Sequence, residues 1–152
     1  MSTRLNIQKT TPAAYTAMLG LESYLDTTQL TPAHMDLIKI RASQINGCAF
    51  CIDMHTLEAR QHGESEQRIY GLNAWKETPF YTDEERAVLA LTEEITLIAG
   101  GVSDATYNTA VELLGEQYTA QAIMAIIVIN AWNRIGVATK LKPVLRRHQV
   151  NA

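Results

Sequence analysis

The segment from Thr119 to about Ala138 constrains the fold more than any other part of this sequence. Its apolar residues occupy every side of a helix: Ile123, Met124, Ile126, Ile127, Val128 and Ile129. A helix that is apolar all round is buried in a core or in an interface between subunits. Because a chain of 152 residues cannot easily enclose one helix on all sides, the segment predicts a central helix and a homo-oligomer.

Signals that start and stop helices are frequent in the rest of the chain, and signals for strands are nearly absent. Thr11-Pro12 and Thr31-Pro32 each pair an N-cap residue with proline at the first helical position, and Thr82 with Glu85 forms a capping box. The predicted helices cover residues 12–25, 32–45, 48–62, 65–70, 81–99, 104–114 and 119–138, with an irregular link over 73–80. The sequence therefore predicts an all-α fold, a single-domain bundle of about six to eight helices spanning residues 1–152 with its core at about 12–140.

Composition narrows the class of protein. The apolar fraction of 47% and the charged fraction of 19% are typical of a globular protein. A net charge of -3 gives no reason to expect a nucleic-acid partner. The longest apolar run, Ala122 to Ile129, is far shorter than the roughly 20 residues that span a bilayer. With no apolar segment typical of a secretory signal at the N-terminus, we expect a cytoplasmic protein without a membrane partner.

Both cysteines lie in the stretch from Asn46 to His55. Asn46-Gly47 is a pair that ends helices, so Cys48 falls near the N-cap of the next helix and Cys51 at about its third position. The positive end of the helix dipole and the C-x-x-C spacing both lower the pKa of a thiol. His55 follows Cys51 by four residues, one turn along the same helix face.

Three interpretations of this pair remain open on the residues alone. The cysteines could be inert buried thiols, although they are the only two in the chain and both follow a helix break. Zinc would accept Cys48, Cys51 and His55, but a structural zinc site needs a fourth ligand and no further cysteine exists. A redox pair uses more of the surroundings, because His55 can take or relay the thiol proton and the two sulfurs can close a disulfide. We therefore expect neither a metal nor an organic cofactor.

The stretch from Asp36 to His55 has an acidic residue, eleven residues, and then C-x-x-C-x-x-x-H. This pattern resembles the signature of the carboxymuconolactone decarboxylase superfamily and, more narrowly, its alkylhydroperoxidase D branch, from about Thr31 through Lys140. The resemblance implies an all-α fold that assembles as a trimer or hexamer. It also implies that Cys51 attacks the peroxide, that Cys48 is the more accessible partner that exchanges with a reductant, and that His55 shares a proton relay with Asp36.

The function implied by the resemblance is a thiol-dependent peroxidase that reduces H₂O₂ or organic hydroperoxides and is recycled by an external dithiol or a protein disulfide reductant. One alternative is a disulfide oxidoreductase or redox sensor that uses the same pair without significant peroxide turnover. A second alternative is a non-redox, decarboxylase-like or small-molecule binding scaffold.

Overall fold

The fold is described from a computed structural model covering residues 4–146, so the two ends of the predicted domain, 1–3 and 147–152, lie outside the described residues. The α-helices are α1 Ile7–Thr10, α2 Pro12–Leu25, α3 Pro32–Asn46, α4 Ala49–Gln61, α5 Glu66–Gly71, α6 Asp83–Thr96, α7 Asp104–Leu114 and α8 Glu116–Thr139. Two 3₁₀ helices, Leu72–Glu77 and Ile98–Gly100, complete the secondary structure. No strand occurs between residues 4 and 146, and the prediction of an all-α fold with six to eight helices is confirmed.

Helix α8 is the centre of the fold. It packs against α3, α6, α2 and α7, and its side chains Ile126, Val128 and Ile129 are almost completely buried. Ile127, on another side of the same helix, keeps 46% of its surface exposed. By length and composition alone α8 could cross a membrane, but a helix at the core of a folded domain meets the same criteria. In this fold α8 packs against those four helices and buries the polar side chain of Asn133 among them.

Helix α3 lies between two apolar clusters. Ile38 and Ala42 face the cluster around α8, whereas Leu37 and Ile40 face a second cluster that includes Ala59 of α4. Each pair follows a helical spacing of three or four residues, so α3 buries two adjacent stripes. The helix is therefore a rigid support that carries the loop before Cys48 and the start of α4.

Apart from the short helix α1, which was not predicted, and shifts of one or two residues, three segments differ from the sequence predictions. Helix α8 begins at Glu116, one turn before the predicted Thr119, because Gly115 alone joins α7 to α8. Helix α6 ends at Thr96 rather than near residue 99, since Leu97 leaves helical geometry and a 3₁₀ turn follows. Residues 72–77, largely within the predicted irregular link, form a 3₁₀ helix instead.

Candidate functional site

A tight turn between α3 and α4 positions the two cysteines. Gly47 adopts a left-handed conformation (φ 66°) that ends α3, a conformation that costs glycine little because it has no Cβ. The Cys48 N–H then donates to the carbonyl of Ser43 at 3.1 Å. Cys48 is the N-cap of α4, and its sulfur accepts the Cys51 N–H at 3.4 Å. The structure thus places both cysteines at the start of a helix, as predicted.

A buried polar network ties this turn to α8. The Asn46 side-chain amide donates to the oxygens of Asn130 and Asn133, both at 2.9 Å. Asn133 in turn donates to Ser43 Oγ at 3.0 Å, and Asn130 donates to Thr96 Oγ1 at 3.0 Å. Buried amides must be satisfied to avoid a desolvation cost, so these bonds fix the turn in one orientation.

The two sulfurs are joined in a disulfide, and both cysteines are buried. Cys48 is 2% exposed and Cys51 is 4% exposed. Cys51, but not Cys48, lines a cavity of about 320 Å³. The greater accessibility of Cys48 implied by the resemblance is therefore not found in the single chain, where Cys51 is the sulfur that faces the cavity.

Gly136 of α8 lies against the disulfide. A Cβ atom at this position would be 2.8 Å from Cys48 Sγ and 3.5 Å from Cys51 Sγ. The first distance is too short for any real contact with a sulfur that is itself held by a covalent bond. Glycine therefore allows α8 to pack directly on the pair, and this contact was not predicted from the sequence.

The cavity beside Cys51 is predominantly apolar. Its walls come from α2, α4, α8 and the chain that follows α8: Tyr15, Leu19, Phe50, Met54, Trp132, Ile135, Gly136 and Leu141. The ring of Trp132 meets that of Tyr15 edge-on, with centroids 5.3 Å apart. Such a wall suits an organic molecule with an apolar substituent.

Charged side chains lie at one part of this cavity and are paired with each other. Glu22 accepts from Lys39 Nζ at 2.5 Å and from the Trp132 indole N–H at 3.0 Å. His55 and Glu58 also line the cavity. The apolar space next to Cys51 therefore has an imidazole and a fixed ion pair in its wall.

His55 is held by a carboxylate on its own helix. Its Nδ1 is 2.7 Å from Glu58 Oε2. Because a carboxylate only accepts, Nδ1 carries the hydrogen in this contact, and Nε2 is left as the basic nitrogen. Burial lowers the pKa of His55 below its ordinary value of 6.5, with the Glu58 hydrogen bond acting in the opposite direction. His55 is therefore neutral near pH 7 and able to accept a proton.

Asp36 has a different partner from the one predicted. Its Oδ2 is 2.8 Å from Nδ1 of His62, near the C-terminal end of α4. No hydrogen bond joins Asp36 to His55 in the part of the chain that the structure describes. Asp36 is buried, and this burial raises the pKa of its carboxyl group above 3.8. A direct Asp36–His55 relay is thus absent from this arrangement, and a role for Asp36 stays a prediction.

The site holds residues that the sequence interpretation missed. Glu58 could have been found from its spacing, since it follows His55 by three residues and so lies on the same helix face. Gly136, Glu22 and Lys39 come from other helices, and no local pattern marks them. Within residues 4–146 no group of three or more His, Cys, Asp or Glu side chains is arranged to hold a metal ion.

Comparison with known proteins identifies the family of this chain. A family model described as the carboxymuconolactone decarboxylase family matches residues 10–94, more than half of the chain. The uncharacterized protein YdfG of Bacillus subtilis (strain 168) is 45% identical over 139 residues, covering 91% of this chain and 95% of its own length.

Solved structures show the same fold. ATU0492 from Agrobacterium tumefaciens, described as a protein of unknown function and a candidate AhpD antioxidant defence protein, has a TM-score of 0.91 at 41% identity, covering 95% of this chain and 100% of that one. An uncharacterized peroxidase-related protein from Silicibacter sp. TM1040 has a TM-score of 0.75 at 20% identity, covering 88% of this chain and 72% of that one, and shows the fold alone. This chain belongs to the carboxymuconolactone decarboxylase family and has an AhpD-like fold.

Proposed function

We propose that this protein is a thiol-dependent peroxidase that reduces H₂O₂ or organic hydroperoxides through Cys51 and Cys48. One observation carries the proposal: Cys51, bonded to Cys48, faces a cavity that also contains the neutral base His55. A relative named as an antioxidant defence candidate supports the same class of activity. The predominantly apolar wall suits a hydroperoxide with an organic substituent.

The proposed reaction begins from the reduced pair. His55 Nε2 takes the proton of the Cys51 thiol, and the thiolate attacks the hydroxyl oxygen of ROOH. The O–O bond breaks, Cys51 becomes a sulfenic acid, and the leaving RO⁻ receives the proton and departs as ROH. The Cys48 thiol then attacks Cys51, forming the disulfide and releasing water.

An external dithiol closes the cycle. It attacks the Cys48–Cys51 disulfide, is itself oxidised to a disulfide, and leaves both protein thiols reduced. Because Cys51 lines the cavity and Cys48 does not, we propose that a small dithiol attacks at Cys51. Cys48 is then the leaving thiolate, at a helix N-cap where the Cys51 N–H stabilises its charge.

The two cysteines give a direct test. We expect Cys51→Ser to lose peroxide consumption in a dithiol-coupled assay, because the attacking sulfur is gone. Cys48→Ser should still react once, and intact mass after stoichiometric peroxide should show one added oxygen on Cys51. The wild type should instead lose two hydrogens and both free thiols. Asp53→Asn, on the same helix but outside the cavity wall, is the control and should behave as the wild type.

Three outcomes would contradict the proposal. Full peroxide consumption by Cys51→Ser would exclude this sulfur as the attacking group. Rapid turnover with dithiol reagents, but none with several peroxides, would identify the pair as that of a disulfide oxidoreductase or redox sensor. An activity or ligand retained by the Cys48→Ser, Cys51→Ser double variant would favour a non-redox scaffold.

We also propose that the protein works as a homo-oligomer, a trimer or hexamer, in the cytoplasm, where dithiol reductants are available. The oligomer is supported by an open apolar cavity of about 580 Å³ between α6, α7 and α8. Ile98, Tyr107 and Ile127, which line this cavity, each keep between 46% and 59% of their surface exposed.

A further inference from the structure

We propose that Glu58 is the positioning residue of the peroxidase site, holding His55 as the base and balancing the charge that His55 gains, in place of Asp36. This role rests on the peroxidase function proposed above. It concerns a residue outside the predicted motif, and the contact between the Glu58 and His55 side chains supports it.

The geometry of the pair suits this role. His55 Nδ1 and Glu58 Oε2 are 2.7 Å apart on successive turns of α4. The His55 side chain is 6% exposed, whereas the Glu58 side chain is 41% exposed. The imidazole therefore lies in the protein interior, and its carboxylate partner remains in contact with solvent. When His55 gains a proton at Nε2, the Glu58 carboxylate at Nδ1 supplies the balancing negative charge.

Glu58 also selects the tautomer that the reaction needs. With Nδ1–H directed at the carboxylate, the lone pair is on Nε2. His55 and Cys51 are one turn apart on α4 and line the same cavity, so this nitrogen is the one available to the thiol proton. Without a carboxylate at Nδ1, the other tautomer becomes accessible, and in that tautomer Nε2 carries the hydrogen and cannot accept the thiol proton.

Glu58 is needed in the step in which His55 carries the proton of Cys51. When His55 accepts the Cys51 proton, the ring becomes an imidazolium in a buried position, which is costly unless it is paired. Glu58 supplies the negative charge until the proton passes to the departing RO⁻. No net proton is gained or lost, so Glu58 itself need not change protonation state.

The other charges around His55 do not replace Glu58. Lys39 from α3 disfavours a positive charge on the ring, while Glu22 from α2 favours it, and these two groups are paired with each other. The α8 residues of the cavity wall carry no charge. Asp36 makes its hydrogen bond with His62 instead. Glu58 is therefore the carboxylate that bonds the ring directly.

The test uses the full-length protein and two measurements on each variant. The first is the pH profile of the rate with which the reduced protein consumes tert-butyl hydroperoxide. The second is the NMR titration of His55 in the disulfide form, where no thiol titrates nearby. Glu58→Gln keeps the size of the side chain and removes its charge. Glu58→Asp is the conservative variant, Asp36→Asn tests the predicted relay acid, and Asp53→Asn is a control carboxylate on the same helix.

We expect Glu58→Gln to slow peroxide consumption at pH 7 by roughly 10- to 100-fold, a part of the 10²–10⁴-fold that a general base contributes. The His55 pKa should fall in the same variant, because the carboxylate that favours the charged ring is lost. Glu58→Asp should recover part of both effects. Asp53→Asn should change neither, and Asp36→Asn should leave the His55 pKa in place.

A Glu58→Gln protein with the wild-type rate and an unchanged His55 pKa would overturn the proposal while leaving the peroxidase function intact. A decrease in rate without a fall in the His55 pKa would also overturn it, because it would indicate a merely structural effect. If the wild type consumes no peroxide, the proposed function and the catalytic role of Glu58 both fail, and the titration then decides only whether Glu58 sets the charge state of His55.

Discussion

At the scale of single residues, Gly136 determines how closely α8 can approach the Cys48–Cys51 disulfide. It faces both sulfurs, and the missing side chain is the reason that Cys48 can be so completely covered. Replacement by alanine has two opposing effects. Helix propensity favours alanine by about 1 kcal/mol, whereas overpacking a well-filled site costs about 1–3 kcal/mol. With the Cβ only 2.8 Å from Cys48 Sγ, the overpacking should dominate.

We predict that Gly136→Ala lowers the free energy of unfolding of the disulfide form by up to about 2 kcal/mol, the balance of those two effects. The loss should be smaller in the dithiol form, where the Cys48 side chain is free to rotate away. Denaturant unfolding of both redox forms measures the two values. Gly20→Ala is the matched control, since nothing lies within 4 Å of its Cβ, and it should not destabilise either form. Equal losses in both forms would contradict the argument.

The grouping of Cys48, Cys51 and His55 could be predicted from the sequence, but the residues that contact them from other helices could not. Cys48, Cys51 and His55 lie within one short segment, so helical spacing alone brings them together. Asp36 lies on another helix, and its partner depends on how α4 runs along α3. In the structure that packing brings Asp36 to His62, seven residues beyond His55. Contacts between helices of this kind require tertiary information that local patterns do not contain.

At the scale of elements, the polar network between α3 and α8 holds the start of α4 in place. Asn133 is fully buried, accepts from Asn46 and donates to Ser43. It therefore connects the last turn of α3, just before Gly47 and Cys48, to the central helix. Each such hydrogen bond contributes about 1 kcal/mol, and removal of the side chain also leaves a cavity.

We predict that Asn133→Ala lowers the free energy of unfolding by about 2–4 kcal/mol, from two lost hydrogen bonds and the cavity. Urea denaturation provides the measurement. Asn108→Ala, at an exposed position of α7, should stay within about 0.5 kcal/mol of the wild type. A double-mutant cycle with Asn46→Ala should show a coupling of at least about 0.5 kcal/mol. Independent, additive effects would mean that the two amides do not act as one unit.

Most helices were predictable because their caps are local features. Thr31 and the capping box of Thr82 with Glu85 start helices where expected. The predicted start of α8 was wrong by one turn, because the N-cap residue Gly115 has no side chain to serve as a capping signal. Thr119, the predicted first residue, lies inside the helix, and its buried hydroxyl lacks a hydrogen-bond partner within the described chain. The start of a helix is thus hard to predict where it is joined to the preceding helix by a single residue.

At the scale of the whole molecule, the central helix is not fully enclosed by one chain. Ile127 remains 46% exposed on α8, and Ile98 remains 59% exposed beside the same cavity. Apolar surface of this kind is typical of contacts between subunits. The prediction of a homo-oligomer therefore has a specific surface on which it can be tested.

We predict that light scattering gives a mass three or six times that of the chain. Ile127→Asp should shift the mass towards the single chain, because a buried unpaired carboxylate is costly in an interface. Circular dichroism checks that the helices are intact in this variant, as expected for an exposed position. A wild-type protein that is monomeric at micromolar concentration would refute the assembly. An unchanged mass in Ile127→Asp would show that the subunits meet elsewhere.

The position of Trp132 has a practical consequence. The chain contains two tryptophans: Trp132 lies in the cavity wall with Cys51, and Trp75 lies in the other apolar cluster with its indole bonded to Glu93. An excited indole can transfer an electron to a nearby disulfide, and this transfer quenches the indole fluorescence. Two thiols quench it less. We therefore expect the fluorescence of Trp132 to report on the state of the cysteine pair. With Trp75 replaced by phenylalanine, the colour and brightness of one side chain would follow each oxidation and reduction without any added dye.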